Sequence, residues 1–213
     1  MVAEMNAEMH ALLDPGQSVL LVIDVQNDFC HDDGVFGQAG LHLGAIQQAV
    51  ENLLSFIEAA RRAHVPVVFV KTHHDRWTNS PAWLTRHIRR GRRVEICAIG
   101  SWGAEFYRVS PGPEDRVIVK HRYSAFMGTS LEVVLRSLAR PTLLLTGATT
   151  NVCVESTARD AFMRDYHAVM VEDCVAAPTK EEHEATLYNM RTYFGHVSDS
   201  ATIAALWQPA PKP

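Results

Sequence analysis

The sequence predicts an α/β fold in which a parallel β-sheet is covered by helices on both faces. Short apolar runs that are typical of buried strands alternate with segments of helical periodicity, and this alternation favours parallel strands joined by crossover helices. The chain has 213 residues, of which 47% are hydrophobic, so one domain can bury a sizeable core. No repeat or linker divides the chain, and we predict an N-terminal arm at 1–16 followed by a single domain at 17–213.

The individual strands and helices follow from the spacing of apolar residues. The predicted strands are 18–24, 65–71, 115–120, 141–147 and 167–173, with a short last strand within 195–203. Apolar residues at i, i+3, i+4 and i+7 predict a long amphipathic helix between the first two strands. They are Ile46, Ala49, Val50, Leu53, Leu54, Ile57 and Ala60. Further helices are predicted at 131–138, 154–162 and 180–193.

One segment, 74–114, does not fit this alternation. Its aromatic residues are Trp77, Trp83, Trp102, Phe106 and Tyr107, and it contains a basic stretch, RHIRRGRR, at 86–93. A connection of this length is usually functional or covers a site. The arginines fit that role, but a solvated face or a subunit contact is the commoner role of such a stretch.

Composition and charge argue against several classes of protein. The formal net charge is −4, which gives no electrostatic case for binding nucleic acid or an anionic membrane. The four cysteines are far apart and form no CxxC pair, so a disulfide scaffold or a structural zinc site is not expected. No segment resembles a secretory signal, and no apolar run reaches the roughly 18 residues of a membrane span. We therefore expect a soluble, cytoplasmic protein that acts on a small molecule.

Three polar residues stand at the predicted carboxyl ends of strands, where open parallel sheets bind their ligands. Asp24 closes the first strand, Lys120 closes the third, and Cys153 follows the fourth. In the common strand order 3-2-1-4-5-6, the strands that precede Asp24 and Cys153 are neighbours. Taken singly, Asp24 could cap a turn, Lys120 could be a surface residue, and Cys153 could be a small buried apolar side chain. Together at one edge of one sheet, they predict a site.

These residue types suit nucleophilic attack on a carbonyl group. The thiolate is the reactive form of cysteine, and a helix N-terminus and a nearby ammonium group both stabilise it. Asp24 could accept the thiol proton and later deliver it to a leaving amine, while Lys120 keeps the aspartate ionised. The turn before Cys153 is built from the small residues at 147–151, and its backbone N–H groups could stabilise a developing oxyanion.

Five segments of the chain together resemble the isochorismatase-like cysteine hydrolases. They are VLLVIDVQNDF (19–29), GSWGAEF (100–106), VIVKHRYSAFMGTSLEVVL (117–135), TGATTNVCVESTARDAF (146–162) and VMVEDCVAA (169–177). The resemblance implies a Rossmann-like three-layer sandwich with a six-stranded, mostly parallel sheet. It also implies that the protein is a homodimer or a homotetramer.

The same resemblance implies roles for the three polar residues. Cys153 is the implied nucleophile, Asp24 the acid and base, and Lys120 their electrostatic partner. The resemblance further implies a cis peptide bond between Ala148 and Thr149, which would aim the backbone N–H groups of Thr149 and Cys153 into an oxyanion hole.

Two departures from the family narrow the activity. Isochorismatases themselves lack the cysteine, so Cys153 argues against cleavage of a vinyl ether. Nicotinamidases carry a D-x-H-x-x-H metal site after the second strand, whereas this chain has the adjacent residues His73 and His74 there. Adjacent side chains on an extended chain point to opposite faces, so we predict no metal site and no cofactor. His73 could bind a substrate by a hydrogen bond, or it could be an ordinary polar loop residue.

The segment TNVCVESTARDAF is most similar to family members that hydrolyse N-carbamoyl or ureido compounds. A ureido acid would require a partner for its carboxylate, best supplied by arginine. Arg122, Arg76 and the arginines of 86–93 are the candidates. The other predicted walls of the pocket are Asn27, Phe29, Trp77, Tyr123 and Phe126. For the aromatic residues among these, ordinary packing is the commoner role.

The predicted function is a metal-independent cysteine amidohydrolase that cleaves a C–N bond of a small N-carbamoyl or ureido compound through a thioester and releases ammonia. One alternative is an amidase for a small acid amide such as maleamate or nicotinamide. Another is a binding module on the same fold in which Cys153 is a redox-sensitive thiol, and the accompanying Asp24 and Lys120 argue against it. No G-x-G-x-x-G follows Asp24, which argues against a dinucleotide site.

Overall fold

The computed structural model describes residues 8–86 and 95–208. Its strands are β1 (Ser18–Ile23), β2 (Val67–Thr72), β3 (Arg116–Lys120), β4 (Thr142–Ala148), β5 (His167–Ala176) and β6 (His196–Ser198). Its helices are α1 (Asn27–Cys30), α2 (Val35–Gln38), α3 (Gly44–Arg62), α4 (Pro81–Thr85), α5 (Leu131–Leu138), α6 (Glu155–Phe162), α7 (Lys180–Asn189) and α8 (Ser200–Leu206). Each predicted strand and each predicted helix is therefore present, with bounds that shift by a few residues.

The strands form one parallel sheet in the order β3-β2-β1-β4-β5-β6, which confirms the predicted fold class and strand order. The register brings the strand ends together at one edge. Ile23 of β1 lies opposite Gly147 of β4, and Thr72 of β2 lies opposite Lys120 of β3. Residues that follow these positions are therefore neighbours in space.

The core has two parts, one on each face of the sheet. Because successive side chains of a strand point to opposite faces, Leu20 and Val22 of β1 pack in the cluster that contains Leu53 of α3. Val19 and Leu21 of the same strand pack in the other cluster, with residues of α5 and α6. This arrangement is the predicted three-layer sandwich.

Two segments that were predicted within or next to α-helices form π-helical turns instead. A π-helical turn, Thr150–Val154, precedes α6 and contains Cys153. A second π-helical turn, Met190–Phe194, completes the helix that was predicted at 180–193.

Of the basic stretch predicted at 86–93, all but Arg86 lies outside the described residues. No helix in the described parts of the chain is long and apolar enough to cross a membrane.

The described part of the N-terminal arm packs against the domain. Leu13 is buried, and its carbonyl oxygen accepts a hydrogen bond from the Trp207 indole N–H at 2.9 Å. The Thr142 hydroxyl, at the start of β4, donates to the Leu12 carbonyl oxygen at 2.8 Å. These bonds attach the arm to the edge of the sheet opposite the predicted site.

Gly147 lies where β4 passes close to the end of β1. Its φ is +110°, and a Cβ atom there would lie 1.9 Å from the Ile23 carbonyl oxygen. No side chain fits this space, and residues other than glycine rarely adopt this conformation. Because Asp24 follows Ile23 directly, this glycine allows the two segments that carry Asp24 and Cys153 to approach each other.

Replacing Gly147 with alanine should lower the free energy of unfolding by about 3 kcal/mol or more, since the methyl group would overlap the Ile23 backbone. Urea unfolding followed by circular dichroism measures the change. Gly44→Ala is the matched control, because no atom lies within 4 Å of its Cβ position and its effect should stay within about 0.5 kcal/mol. Equal unfolding free energies for the two variants would contradict this account of Gly147.

Candidate active site

Asp24 begins the loop after β1, and its backbone is held in an unusual conformation. Its φ is +53°, a left-handed value that aspartate tolerates better than most residues. Its N–H donates to the Val70 carbonyl oxygen at 2.8 Å, which extends the pairing of β1 with β2 by one residue. The side chain is 0% exposed, so the strand end places a carboxylate inside the protein.

The Asp24 carboxylate forms an ion pair with Lys120, the last residue of β3. The distance from Lys120 Nζ to Asp24 Oδ2 is 2.7 Å, and the two side chains are 1% and 0% exposed. Burying two charges is costly unless further hydrogen bonds satisfy them. Lys120 Nζ also donates to Thr72 Oγ1 at 2.8 Å and to the Arg122 carbonyl oxygen at 3.0 Å.

Thr72 connects the two charged groups. Its hydroxyl accepts the bond from Lys120 and donates to Asp24 Oδ1 at 3.0 Å. It is the last residue of β2, between β1 and β3 in the sheet. Thr72 was not among the predicted site residues, although a polar residue at the end of an apolar strand next to Lys120 could have indicated it.

Cys153 completes this buried group, which we call the Asp24–Lys120–Cys153 cluster. Its sulfur atom lies 3.4 Å from Lys120 Nζ. Its carbonyl oxygen accepts a hydrogen bond from the buried Thr157 hydroxyl at 2.7 Å, and that hydroxyl in turn accepts one from the Ala125 N–H at 3.0 Å. The turn that carries the thiol is thus fixed to the loop after Lys120.

The turn before Cys153 begins with the cis peptide bond between Ala148 and Thr149 that the resemblance implied. The Thr149 carbonyl oxygen accepts the N–H groups of Val152 and Val154 at 3.2 and 3.3 Å. These two N–H groups are therefore used within the turn.

The protonation state of Cys153 differs from the expected thiolate. Burial raises the pKa of the thiol well above its ordinary value, and Lys120 only partly opposes this. Asp24 raises the pKa further, by its charge and by accepting a hydrogen bond from the thiol. Burial alone would lower the pKa of Lys120, but Asp24 and Cys153 raise it above its ordinary value. The raised pKa values favour a neutral thiol on Cys153 and an ammonium group on Lys120 at neutral pH.

Gln26, which was not among the predicted site residues, fixes the position of the surrounding loops. It is 0% exposed, and its side-chain N–H₂ group donates to the carbonyl oxygens of Thr72 and Ala104 at 2.9 and 2.7 Å. Its side-chain oxygen accepts the Thr72 N–H at 2.7 Å. One buried amide thus ties the end of β1 to the end of β2 and to the loop 101–107.

Asp28 fixes the same loops from the other side. Its carboxylate accepts the N–H groups of Cys97 at 2.6 Å and of Val35 at 3.3 Å. The side-chain N–H₂ group of Asn27, a predicted pocket residue, donates to the Trp102 carbonyl oxygen at 2.8 Å. Asn27 therefore lies beside the cluster as part of the framework of these loops.

Two other predicted pocket residues lie next to Lys120. The guanidinium group of Arg122 lies 5.1 Å from the centre of the Trp83 ring, and the Tyr123 ring is 4.9 Å from the same ring. The side chain of His73 points away from Trp83, and burial together with the charge of Lys71 lowers its pKa. Its neighbour His74 is the histidine that packs on Trp83, with ring centres 5.0 Å apart.

The remaining predicted pocket walls have packing partners or exposure of their own. Phe29 packs in the core against Phe36 at 5.2 Å. Phe126 contacts Tyr166, which follows the far end of α6. Trp77 is 80% exposed. Aromatic residues often fill a core or a surface rather than a pocket, and sequence spacing alone did not separate these cases.

In the described parts of the chain, neither a group of metal ligands nor a cleft elsewhere on the protein adds a candidate active site. Within residues 8–86 and 95–208, no three His, Cys, Asp or Glu side chains are close enough to hold a metal ion. A cleft of about 420 Å³ lies at the opposite edge of the sheet, where β4 and β5 begin. Its lining residues are Ala11, Leu12, Asp14, Gln17, Pro141, Thr142 and His167. It contains none of the predicted site residues.

Comparisons with known proteins identify the family to which the chain belongs. A family model described as the isochorismatase domain matches residues 18–202. The chain belongs to the isochorismatase family. The ureidoacrylate amidohydrolase RutB of Acinetobacter baylyi is 33% identical over 219 residues, covering 96% of this chain and 89% of the relative.

Solved structures of isochorismatase family members agree with the fold. A cysteine hydrolase from Pseudomonas syringae pv. phaseolicola matches with a TM-score of 0.77 and 25% identity, over 91% of this chain and 93% of that one. An N-carbamoylsarcosine amidase from Thermoplasma acidophilum matches with a TM-score of 0.69 and 31% identity, over 86% and 96%. The predicted family, the predicted fold class and the predicted class of enzyme, a hydrolase acting on C–N bonds, are confirmed.

Replacing Thr72 with valine should lower the free energy of unfolding by about 2–3 kcal/mol, because it removes hydrogen bonds to two buried charged groups without changing the side-chain shape. Thr146→Val is the matched control. The Thr146 hydroxyl is also buried, but it donates only to the Leu21 carbonyl oxygen at 2.8 Å, so its loss should cost about 1 kcal/mol. Urea unfolding of both variants measures the difference, and an equal or smaller loss for Thr72→Val would contradict the role of this hydroxyl.

Proposed function

We propose that the protein is a metal-independent cysteine amidohydrolase that cleaves the C–N bond of a small N-carbamoyl or ureido compound through a thioester and releases ammonia. One observation carries the proposal: the Lys120 ammonium group contacts both Asp24 and Cys153 inside the protein. The three residues then form a catalytic triad at the carboxyl ends of β1, β3 and β4. A binding module would have no use for a buried base beside a buried thiol.

In the first step, the Cys153 sulfur atom attacks the carbamoyl carbon as its proton passes to Asp24. The raised pKa of Cys153 makes this transfer part of the attack, because a preformed thiolate is disfavoured. Asp24 accepts the hydrogen bond of the thiol, which supports its role as the general base in this proposal. Lys120 remains protonated and stabilises the negative charge that moves onto sulfur and then onto the substrate oxygen.

The tetrahedral intermediate needs hydrogen-bond donors for its oxyanion. The backbone N–H groups of Thr149 and Cys153 supply them in this proposal. The neighbouring N–H groups of Val152 and Val154 do not serve this role, because they already donate to the Thr149 carbonyl oxygen. Donors that are fixed before the reaction stabilise a developing charge without reorganisation.

The intermediate collapses when Asp24 returns its proton to the amino group, which leaves as ammonia. For a ureido compound R–NH–CO–NH₂, the enzyme-bound product is R–NH–CO–S–Cys153. Asp24 then takes a proton from water, whose hydroxyl group adds to the carbonyl carbon and displaces the Cys153 sulfur, which regains the proton. The released R–NH–COOH decomposes to R–NH₂ and CO₂.

The ureido class of substrate is supported by the relatives. The names of the 33% identical amidohydrolase and the 31% identical amidase refer to ureidoacrylate and to N-carbamoylsarcosine. Both compounds present a terminal carbamoyl group and a carboxylate. The triad acts on the carbamoyl group that the two compounds share.

The cytoplasmic location and the assembly into a homodimer or homotetramer also stay proposals. Cys30, Cys97, Cys153 and Cys174 are all free and buried, as is common in reducing compartments. Exposed apolar side chains at the end of α6, among them Met163 at 75% exposure, are of the kind that subunit contacts cover.

Replacing Cys153 with alanine should lower turnover of ureidoacrylate and N-carbamoylsarcosine by about 10⁴-fold or more, since no other group can form the thioester. Ammonia release measures turnover, and intact mass spectrometry of Asp24→Asn with substrate should show an acyl adduct on Cys153. Cys174→Ala is the control, because Cys174 is equally buried but lies outside the cluster and should retain turnover. If Cys153→Ala turned over these substrates nearly as fast as the wild type, Cys153 would not be the nucleophile.

Treatment with EDTA should leave turnover unchanged, because the triad supplies the nucleophile, the base and the positive charge that a metal-bound water would otherwise supply. Ammonia release before and after dialysis against EDTA tests this, with a zinc-dependent hydrolase as the positive control. Loss of turnover that added zinc restores would show that the mechanism is metal-dependent.

A further inference from the structure

A group of polar and aromatic side chains surrounds Trp83, on the loops that follow β2 and β3. The guanidinium groups of Arg86 and Arg122 lie 3.8 and 5.1 Å from the centre of the Trp83 ring. The His74 ring lies 5.0 Å and the Tyr123 ring 4.9 Å from the same ring. We call these five residues the Trp83 group.

The Trp83 group is directly attached to the Asp24–Lys120–Cys153 cluster. Lys120 Nζ donates to the backbone carbonyl oxygen of Arg122 at 3.0 Å. Thr72, which contacts both Asp24 and Lys120, precedes His74 by two residues, and side chains two apart on an extended chain point to the same side. The Trp83 group therefore adjoins the Asp24–Lys120–Cys153 cluster, on the side of β2 to which the Thr72 side chain points.

His74 is a buried polar side chain without a partner in the protein. It is 3% exposed, and neither ring nitrogen has a hydrogen-bond partner among the described residues. Burial and the charges of Arg86 and Lys120 lower its pKa to about 4. The ring is therefore neutral near pH 7 and offers one N–H donor and one acceptor. A buried group of this kind is costly unless something binds it.

The two arginines of the group lack a carboxylate partner. Arg159 and Arg191, elsewhere in the chain, form ion pairs with glutamates. Among residues 8–86 and 95–208, no carboxylate lies within ion-pair distance of Arg86 or Arg122. One nitrogen of Arg122 donates to the Thr78 and His121 carbonyl oxygens at 2.9 and 2.6 Å, which fixes the guanidinium group. The buried Nε of Arg86 has no hydrogen-bond partner there.

We propose that His74, Arg86 and Arg122 form a carboxylate-binding subsite, so that the substrate is a ureido acid and not a neutral ureido compound. This inference rests on the proposed function. The carboxylate contacts the two guanidinium groups and the N–H of His74, while the carbamoyl group lies at Cys153. Arginine binds carboxylates by paired, charge-assisted hydrogen bonds. The same positive charges disfavour a metal cation at His74.

The experiment compares ureido acids with their methyl esters, which keep the carbamoyl group but lose the negative charge. Ammonia release is measured with N-carbamoylglycine, 3-ureidopropionate and ureidoacrylate and with the three esters. For the best acid, wild-type kcat/KM should exceed that of its ester by about 100-fold, as expected for charge-assisted pairing. Since this comparison uses the wild-type protein, it does not depend on the folding of a variant.

Two variants locate the effect. His74→Phe keeps a ring against Trp83 but removes both nitrogens, and Arg122→Met keeps much of the chain length but removes the charge. Each should raise KM for the acid about tenfold or more, with kcat nearly unchanged and with little effect on the ester. Arg62→Met is the charge-matched control, because Arg62 is exposed at the end of α3. This variant should leave kcat and KM for both the acid and the ester unchanged.

The outcomes separate this inference from the function on which it rests. Equal kcat/KM for acids and esters, or equal effects of Arg62→Met and Arg122→Met, would overturn the subsite while leaving the amidohydrolase intact. Ammonia release from neither acids nor esters, together with turnover of simple acid amides, would overturn the ureido function and the subsite with it. A preference for acids that His74→Phe and Arg122→Met abolish supports both.

Discussion

The buried ion pair between Asp24 and Lys120 is the constraint around which the rest of the site is arranged. Both side chains are almost completely buried, and a buried ion pair stabilises a protein only when its remaining hydrogen-bonding capacity is satisfied. The end of β2 supplies the Thr72 hydroxyl to both members of the pair, and the loop after β3 supplies the Arg122 carbonyl oxygen. Three adjacent strands must therefore end in the correct register for these charges to be tolerated.

The strand order and the three residues of the cluster could be predicted because they depend on local patterns. Apolar runs and helical periodicity define the strands and their crossovers, and polar residues at strand ends mark the edge that binds ligands. The supporting residues could not be found in this way. Gln26 and Asp28 bond to backbone groups 78 and 69 residues away along the chain, and no local pattern predicts a contact over such a separation.

Sequence patterns also failed to distinguish adjacent or similar residues. His73 and His74 differ by one position, but the alternation of side chains along an extended chain places only His74 on Trp83. Phe29 and Phe126 follow Asp24 and Lys120 closely in sequence, yet they pack into the core. Which face a residue occupies depends on the exact end of the strand, and the predicted strand ends differ from the observed ones by up to three residues.

The state of Cys153 shows that burial outweighs the effects that were expected to favour a thiolate. A helix terminus contributes at most about 2 kcal/mol and acts only within the first turn, whereas full burial can shift a pKa by 3–5 units. Here the thiol lies in a π-helical turn ahead of α6, and the nearby positive charge is already paired with Asp24. In the proposed mechanism, the raised pKa of Cys153 therefore requires a base, and Asp24, which accepts the hydrogen bond of the thiol, is the group proposed for that role.

The Asp24–Lys120–Cys153 cluster and the Trp83 group depend on different parts of the fold. Asp24, Thr72 and Lys120 stand at strand ends, where a slip of one residue would turn each side chain to the other face. The Trp83 group lies on connecting loops, which tolerate substitution more readily than the sheet does. The Lys120 ammonium group joins the two parts, because it contacts the cluster and also holds the Arg122 backbone. Substitutions in these loops can therefore change the surroundings of Trp83, while the strand ends keep Asp24, Thr72 and Lys120 in place.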